Sequence, residues 1–318
     1  MSPAALPGAV RRAARWAVHA LVEPPLPLVA VEVRPGALAA VRLSHDGGSL
    51  SLGAAATVDL APGTIDVSLA RPNLTDAGAF REALRAVLER VGALSGGDVS
   101  LVLPDPAVRL ALVPAQGLRG SGREAEETIR FRLHKALPFD VRFARLAWSP
   151  PRGDQLLVAV ALDEVVRGYE DALESLGFRP GLVEAASLAL QVAAGEPPAG
   201  GDRLLVNWDH GYVSFVLTRA GQPLLVRTLP GDAKPDAVAR HASSTRQFHQ
   251  DRLGGGTLAD VVVRSAAVPG EEALALLGRA LCAPARLLQP WSALGLSEEG
   301  PSAQGVAGAA ACVLRRAA

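Results

Sequence analysis

LVAVEVRPGALAAVRL (residues 28–43) and LLVNWDHGYVSFVLT (204–218) are two copies of one pattern, and their kinship decides the fold. Without a gap, Val29 aligns with Leu204, Val31 with Val206, Glu32 with Asn207, Gly36 with Gly211 and Val41 with Val216. Each copy is a β-branched apolar run, a tight turn holding one glycine, and a second apolar run, the pattern of a hairpin. The surroundings repeat as well. Residues 79–94 set Phe80, Leu84, Val87, Leu88 and Val91 on one helical stripe. Residues 236–253 do the same with Val238, Ala242, Thr245 and Phe248, and Gly254 closes that helix. A strand at 260–264 and a helix at 271–282 follow. The predicted architecture is α/β, a duplicated two-lobe fold with a cleft between the halves.

Working outward, an extra α+β piece interrupts the first half. Residues 98–103, 108–113, 143–148 and 155–162 alternate like paired strands. Ser121 to Glu124 forms a capping box for a helix carrying Ile129, Leu133 and Leu137, which Pro138 stops. Asp163 is expected to cap the next helix, with Gly177 beyond its end. The expected organisation is an N-terminal amphipathic helix with a Pro-rich linker (1–27), a first lobe (28–194) containing the insertion at about 98–162, and a second lobe (203–318). The helical pattern at 7–22 carries Arg11, Arg12 and Arg15 and reads either as an appendage or as a membrane-surface contact.

The 318 residues are 49% hydrophobic with a formal net charge of zero, so no global field attracts nucleic acid or anionic lipid. Cys282 and Cys312 form no closely spaced pair, the histidines do not cluster, and no Walker A loop or Gly-x-Ser-x-Gly elbow is present. The arginines and phenylalanines between Arg123 and Arg145 read as a solvated face over a core, and as the flank of a groove for a peptide.

The first hairpin, RFRLHKALPFDVRFARLAW (130–148), ALESLGFRPGLVEAASLAL (172–190) and the second hairpin with its following strand (204–231) together resemble the PilM-like proteins of type IV pilus assembly, in the actin-like ATPase superfamily. The resemblance implies an actin-like (ribonuclease H-like) fold, a nucleotide site between the hairpins, and a cytoplasmic place at the inner face of the bacterial inner membrane. It implies as partners the N-terminal cytoplasmic tail of a PilN-like membrane protein, held between the first lobe's core and the insertion, and other pilus platform proteins.

The departures fall on the nucleotide positions. Glu32 stands where the family has a metal-organising Asp, Arg34 and Pro35 replace small residues of the phosphate turn around Gly36, and Ala39 replaces a lysine. In the second hairpin Asn207 replaces an Asp, and Asp209, beside Gly211, is expected to repel a phosphate. Ser265-Ala266-Ala267 stand where adenosine-side glycines are expected. These positions predict a degenerate site, no resident cofactor and a scaffold without ATP hydrolysis. The rival expectation is an ATPase or nucleotide-switched factor in which Glu32 holds magnesium and Arg34 holds the phosphates of ATP. A third is a type II secretion L-like cytoplasmic component.

Overall fold

The computed structural model describes residues 26–46, 49–118, 122–231, 233–290 and 303–317. The expected N-terminal helix, the linker up to Pro25, and Ser121 of the expected capping box lie outside the described residues.

Both copies fold into hairpins and extend into matching sheets. In the first lobe, β1 (Val29–Arg34), β2 (Ala37–Asp46), β3 (Ser49–Asp59), β4 (Gly97–Leu103) and β8 (Phe178–Ala185) take the order β3-β2-β1-β4-β8. In the second, β9 (Asp202–Asp209), β10 (Tyr212–Arg219), β11 (Gln222–Pro230), β12 (Leu258–Ser265) and β13 (Ala285–Leu287) take the equivalent order β11-β10-β9-β12-β13. The registers repeat too: Glu32 faces Ala39 as Asn207 faces Ser214, and Arg34 faces Ala37 as Asp209 faces Tyr212. The turns themselves differ. Gly211 adopts φ 79°, whereas Gly36 lies outside the left-handed region, because Pro35 before it fixes a different turn.

Strand parity sorts the side chains into layers. Val31 and Val33 of β1 pack outward against α1 (Ala77–Arg90) and α3 (Asp163–Glu174), and Val206 and Trp208 of β9 join the corresponding outer core beside α5 (Pro235–Arg252) and α6 (Gly270–Leu281). The other parity, Ala30 in β1, Leu205 in β9 and Val262 in β12, points into a core shared by both lobes and closed by α4 (Ala186–Ala193) and α7 (Ala307–Ala317). Fully burying one such Leu or Val is worth about 1.5–3 kcal/mol, so this shared core couples the lobes strongly. Glu32, Arg34, Asn207, Asp209 and Arg264 carry the same parity and therefore face the seam.

The third sheet, β5 (Arg109–Pro114), β7 (Gln155–Leu162) and β6 (Ala144–Trp148) in the order β5-β7-β6, belongs to the insertion with α2 (Arg123–Leu133). The expected insertion began at 98, but residues 97–103 form β4, paired in parallel with β1 and β8 inside the first lobe's own sheet. Its run Val99–Leu103, buried throughout and apolar except for Ser100, suits a strand covered on both faces. Asp163 is not the cap of α3: β7 runs straight into the helix through Leu162, and the Asp163 carboxylate, in the first turn, takes Arg145 and Arg167 instead. Helix α2 ends at Leu133, ahead of Leu137.

Gly96 marks where β4 enters the sheet. Its φ is 73°, and a Cβ there would overlap the carbonyl of Gly177 at the start of β8. Gly96→Ala is expected to cost about 2–4 kcal/mol in chemical denaturation, and Gly63→Ala, at φ 82° in open space, only about 1 kcal/mol. Equal costs would show that the backbone contact is not the constraint.

Candidate functional site

Parity delivers charged side chains from both sheets to one place, and there they neutralise one another. Arg34 forms a fork with Asp209 across the seam, its Nε 2.9 Å from Oδ2 and its Nη2 2.8 Å from Oδ1. Arg264, fully buried on β12 and paired in register with Asn207, distributes its donors over both lobes. It reaches Asp209 Oδ2 at 2.5 Å, Asn207 Oδ1 at 3.0 Å, Glu32 Oε1 at 3.0 Å and the carbonyl of Gln304 at 3.0 Å. The other Glu32 oxygen accepts the backbone N–H groups of Gly308 at 3.0 Å and Ala309 at 3.2 Å, in the first turn of α7. A helix N-terminus thus receives a carboxylate from within the chain, where its free N–H groups favour negative charge. Gly308 permits the approach, since a Cβ there would overlap the Glu32 carboxyl.

A second arm continues from Asn207, whose Nδ2 donates to Asp105 Oδ2 at 2.9 Å and to the Tyr212 hydroxyl at 3.1 Å. Asp105 in turn accepts the Ser187 N–H at 2.8 Å and the Ser187 hydroxyl at 2.5 Å. Burial acts to raise the Asp209 carboxyl, but Arg264 and Arg34 outweigh it and hold it well below the usual carboxylate range. At Glu32 burial wins: its carboxyl sits above the ordinary value despite Arg264 and Arg34, with the Asp209 charge adding to the rise. Burial likewise opposes the Arg264 charge, and Asp209 and Glu32 more than restore it.

Glu32, Arg34, Asn207 and Asp209 therefore converge, as the hairpin alignment predicted, but on each other. Asp209, expected to repel an incoming phosphate, is instead the acceptor for both arginines. Gly36 and Gly211 sit in the two turns, which face one another: a Cβ on Gly211 would lie 4.0 Å from Pro35. Ser265 closes its own loop, its N–H on Gln304 Oε1 at 3.1 Å and its hydroxyl on the Val268 carbonyl at 2.7 Å. Arg264, Asp105, Ser187 and Gln304 were missed. Arg264 left a signal, an arginine inside the buried run Val261–Ser265, whereas the others depend on partners far along the chain.

These residues do not fit a magnesium nucleotide. Both oxygens of Glu32 and of Asp209 are engaged by protein donors, and Arg34 spends its fork on Asp209. Among the described residues no group of three His, Cys, Asp or Glu side chains is placed to hold a metal ion.

Removing one member of a buried ion network leaves the rest uncompensated. Asp209→Ala strands Arg34 and leaves Arg264 with Glu32 alone, and is expected to cost about 3–5 kcal/mol in urea denaturation, more than Arg34→Met, which leaves Asp209 with Arg264. A cost below about 1 kcal/mol would contradict the network. Because the Asp209 carboxyl is depressed from 3.8, its stabilisation is present above that pH and lost as the pH falls. Glu32, raised from 4.5, has the opposite sign: its contribution is fullest below that pH and declines as the pH rises. The stability of Asp209→Asn is accordingly expected to fall less steeply than the wild type below pH 3.8.

Neither a family model nor a curated protein sequence matches this chain. Among solved structures, the PilM-PilN type IV pilus biogenesis complex superposes with a TM-score of 0.73 at 20% identity, over 93% of this chain and 100% of that one. A Bacteroides thetaiotaomicron protein of unknown function with an actin-like ATPase fold gives 0.52 at 9% identity, over 82% of this chain and 90% of that one. The cytoplasmic domain of EpsL, an inner-membrane component of the type II secretion system of Vibrio cholerae, gives 0.49 at 13% identity, over 76% and 83%. The chain has the duplicated, two-lobed actin-like fold, and in fold it is PilM-like.

Proposed function

We propose that this protein is a non-hydrolysing scaffold of a type IV pilus platform, working in the cytoplasm against the inner membrane and binding the cytoplasmic tail of a PilN-like membrane protein. The observation that carries the absence of hydrolysis is the seam network: Glu32, Arg34, Asp209 and Arg264 satisfy one another where a nucleotide would need free donors and a free carboxylate. The partner reading rests on the likeness to the PilM-PilN structure over nearly the whole chain. No helix among the described residues is long and apolar enough to cross a membrane.

A groove of about 940 Å³ between the first lobe and the insertion supplies a seat for the tail. Its floor is Leu74, Ala77, Leu162, Gly168 and Ala172, and Phe143 of the insertion, 60% exposed, overhangs it. Arg81, Arg167 and Asp171 give the rim both signs of charge. An apolar segment with a few polar anchors suits such a floor and rim.

Two measurements test the proposal. Calorimetry with MgATP is expected to show no binding heat; micromolar affinity abolished by Arg34→Ala would favour a nucleotide-switched factor. A synthetic tail peptide of a PilN-like protein is expected to bind the full chain. Gly168→Leu fills the groove while improving helix propensity by about 1 kcal/mol, so the variant is expected to fold and lose the peptide. Unchanged affinity of that variant would remove the groove from the proposal.

A further inference from the structure

An unpaired strand edge invites a further strand, and proteins guard such edges with proline, charge, bulges, short length or a covering element. Among the described residues six strands lie at sheet edges, and five of them are guarded. β3 is bulged opposite Arg42 and Leu43, and Arg90 takes its Thr57 carbonyl at 2.6 Å. β8 carries Arg179 and Pro180, β13 has three residues, and β5 and β11 lie against each other. The sixth, β6 of the insertion, pairs with β7 alone, and no other described strand or helix runs along its far side. Its one charge, Arg145, is turned to α3, with Nε 3.0 Å from Asp163 and Nη1 2.6 Å from Glu170.

The ladder says which groups stand free. The Ser149 N–H donates to the Leu157 carbonyl at 2.9 Å, one step beyond the register pair Trp148–Val158. The odd-numbered residues of β6 therefore exchange hydrogen bonds with β7, and Ala144, Leu146 and Trp148 aim their N–H and C=O groups outward. Arg130 agrees with that direction, its Nη2 meeting the Ala144 carbonyl at 2.9 Å. Among the described residues nothing bonds the outward groups of Leu146 and Trp148. Beside them Leu146 and Trp148 are half-buried and Ala147 is exposed, so the edge has apolar shoulders. The groove between the first lobe and the insertion leads to this edge. Phe143, which overhangs the groove, directly precedes Ala144, and Leu162 in its floor is the register partner of Ala144. Resting on the reading that seats the partner's tail in that groove, we propose that the tail continues past Phe143 as a short strand added to β6, its main chain bonding to Leu146 and Trp148. Arg130 closes one end of the edge and Pro150 the other, which keeps the added strand short. Main-chain pairing supplies affinity in such a mode, and the flanking side chains supply selectivity.

The probe is the fluorescein-labelled synthetic tail peptide of a PilN-like protein, unmodified or N-methylated at one or the other of its two alternating sets of amides. Only every second amide of an added strand faces the edge. Against the full chain, fluorescence anisotropy is expected to show binding weakened about tenfold by methylating one set and unchanged by methylating the other. In hydrogen exchange resolved to single residues, the unmodified peptide is expected to protect the amides of Leu146 and Trp148. The amides of Arg145 and Ala147, already bonded to β7, are expected to keep the protection they have. Binding that responds equally to both methylated forms, or that adds no protection at Leu146 and Trp148, overturns the added strand and leaves the groove standing. No binding of the unmodified peptide overturns the tail reading itself, and the added strand with it.

Discussion

A buried charge must meet an opposite charge with good geometry, and that requirement organises this molecule. Each lobe sends both signs to the seam, and beside the Arg264–Asp209 pair inside the second lobe the partners cross it: Arg34 takes Asp209, Glu32 takes Arg264 and α7, and Asn207 takes Asp105. Buried ion pairs seldom add much net stability, because desolvation consumes most of the Coulombic gain. Their effect here is geometric. Arg264 ties Asn207, Asp209 and Gln304 to Glu32 of the first lobe, and with the Arg34–Asp209 fork and the Asn207–Asp105 bond a rotation of one sheet against the other breaks several bonds together.

Much of this was legible in the sequence. The gap-free match between residues 28–43 and 204–218 carried the duplication into the observed registers, because a strand's hydrophobic alternation specifies which residues oppose which. Glu32, Arg34, Asn207 and Asp209 were identified as one locus because the hairpins alone place them there. What they do there was not legible, since the decisive partners are remote: Arg34 and Asp209 lie 175 residues apart, and Glu32 and Gly308 lie 276 apart. Taken alone, Asp209 is a repulsive carboxylate; with two guanidinium groups in reach it is the hub of the network. The insertion's boundary was misplaced for a related reason. Val99–Leu103 alternates no differently from an inserted strand, and only pairing with β1 and β8 reveals it as core.

In the proposed reading, a seam closed by the protein's own side chains leaves the outer surfaces to carry specificity. The groove beside α1 and α3 borders the insertion and joins an apolar floor to a rim of mixed charge.

Helix α7 follows the second lobe's strands in the chain yet packs on β1, β2 and β4 of the first lobe and on α4, within the apolar cluster that Leu205 and Val262 of the second lobe also join. A nascent chain emerging N-terminus first makes β1, β2 and β4 long before residues 307–317. Until those residues leave the ribosome, Glu32 has no helix N-terminus to hold and the inner face of the first sheet lacks part of its cover. A half begun early thus keeps one face open until a segment made much later arrives to close it.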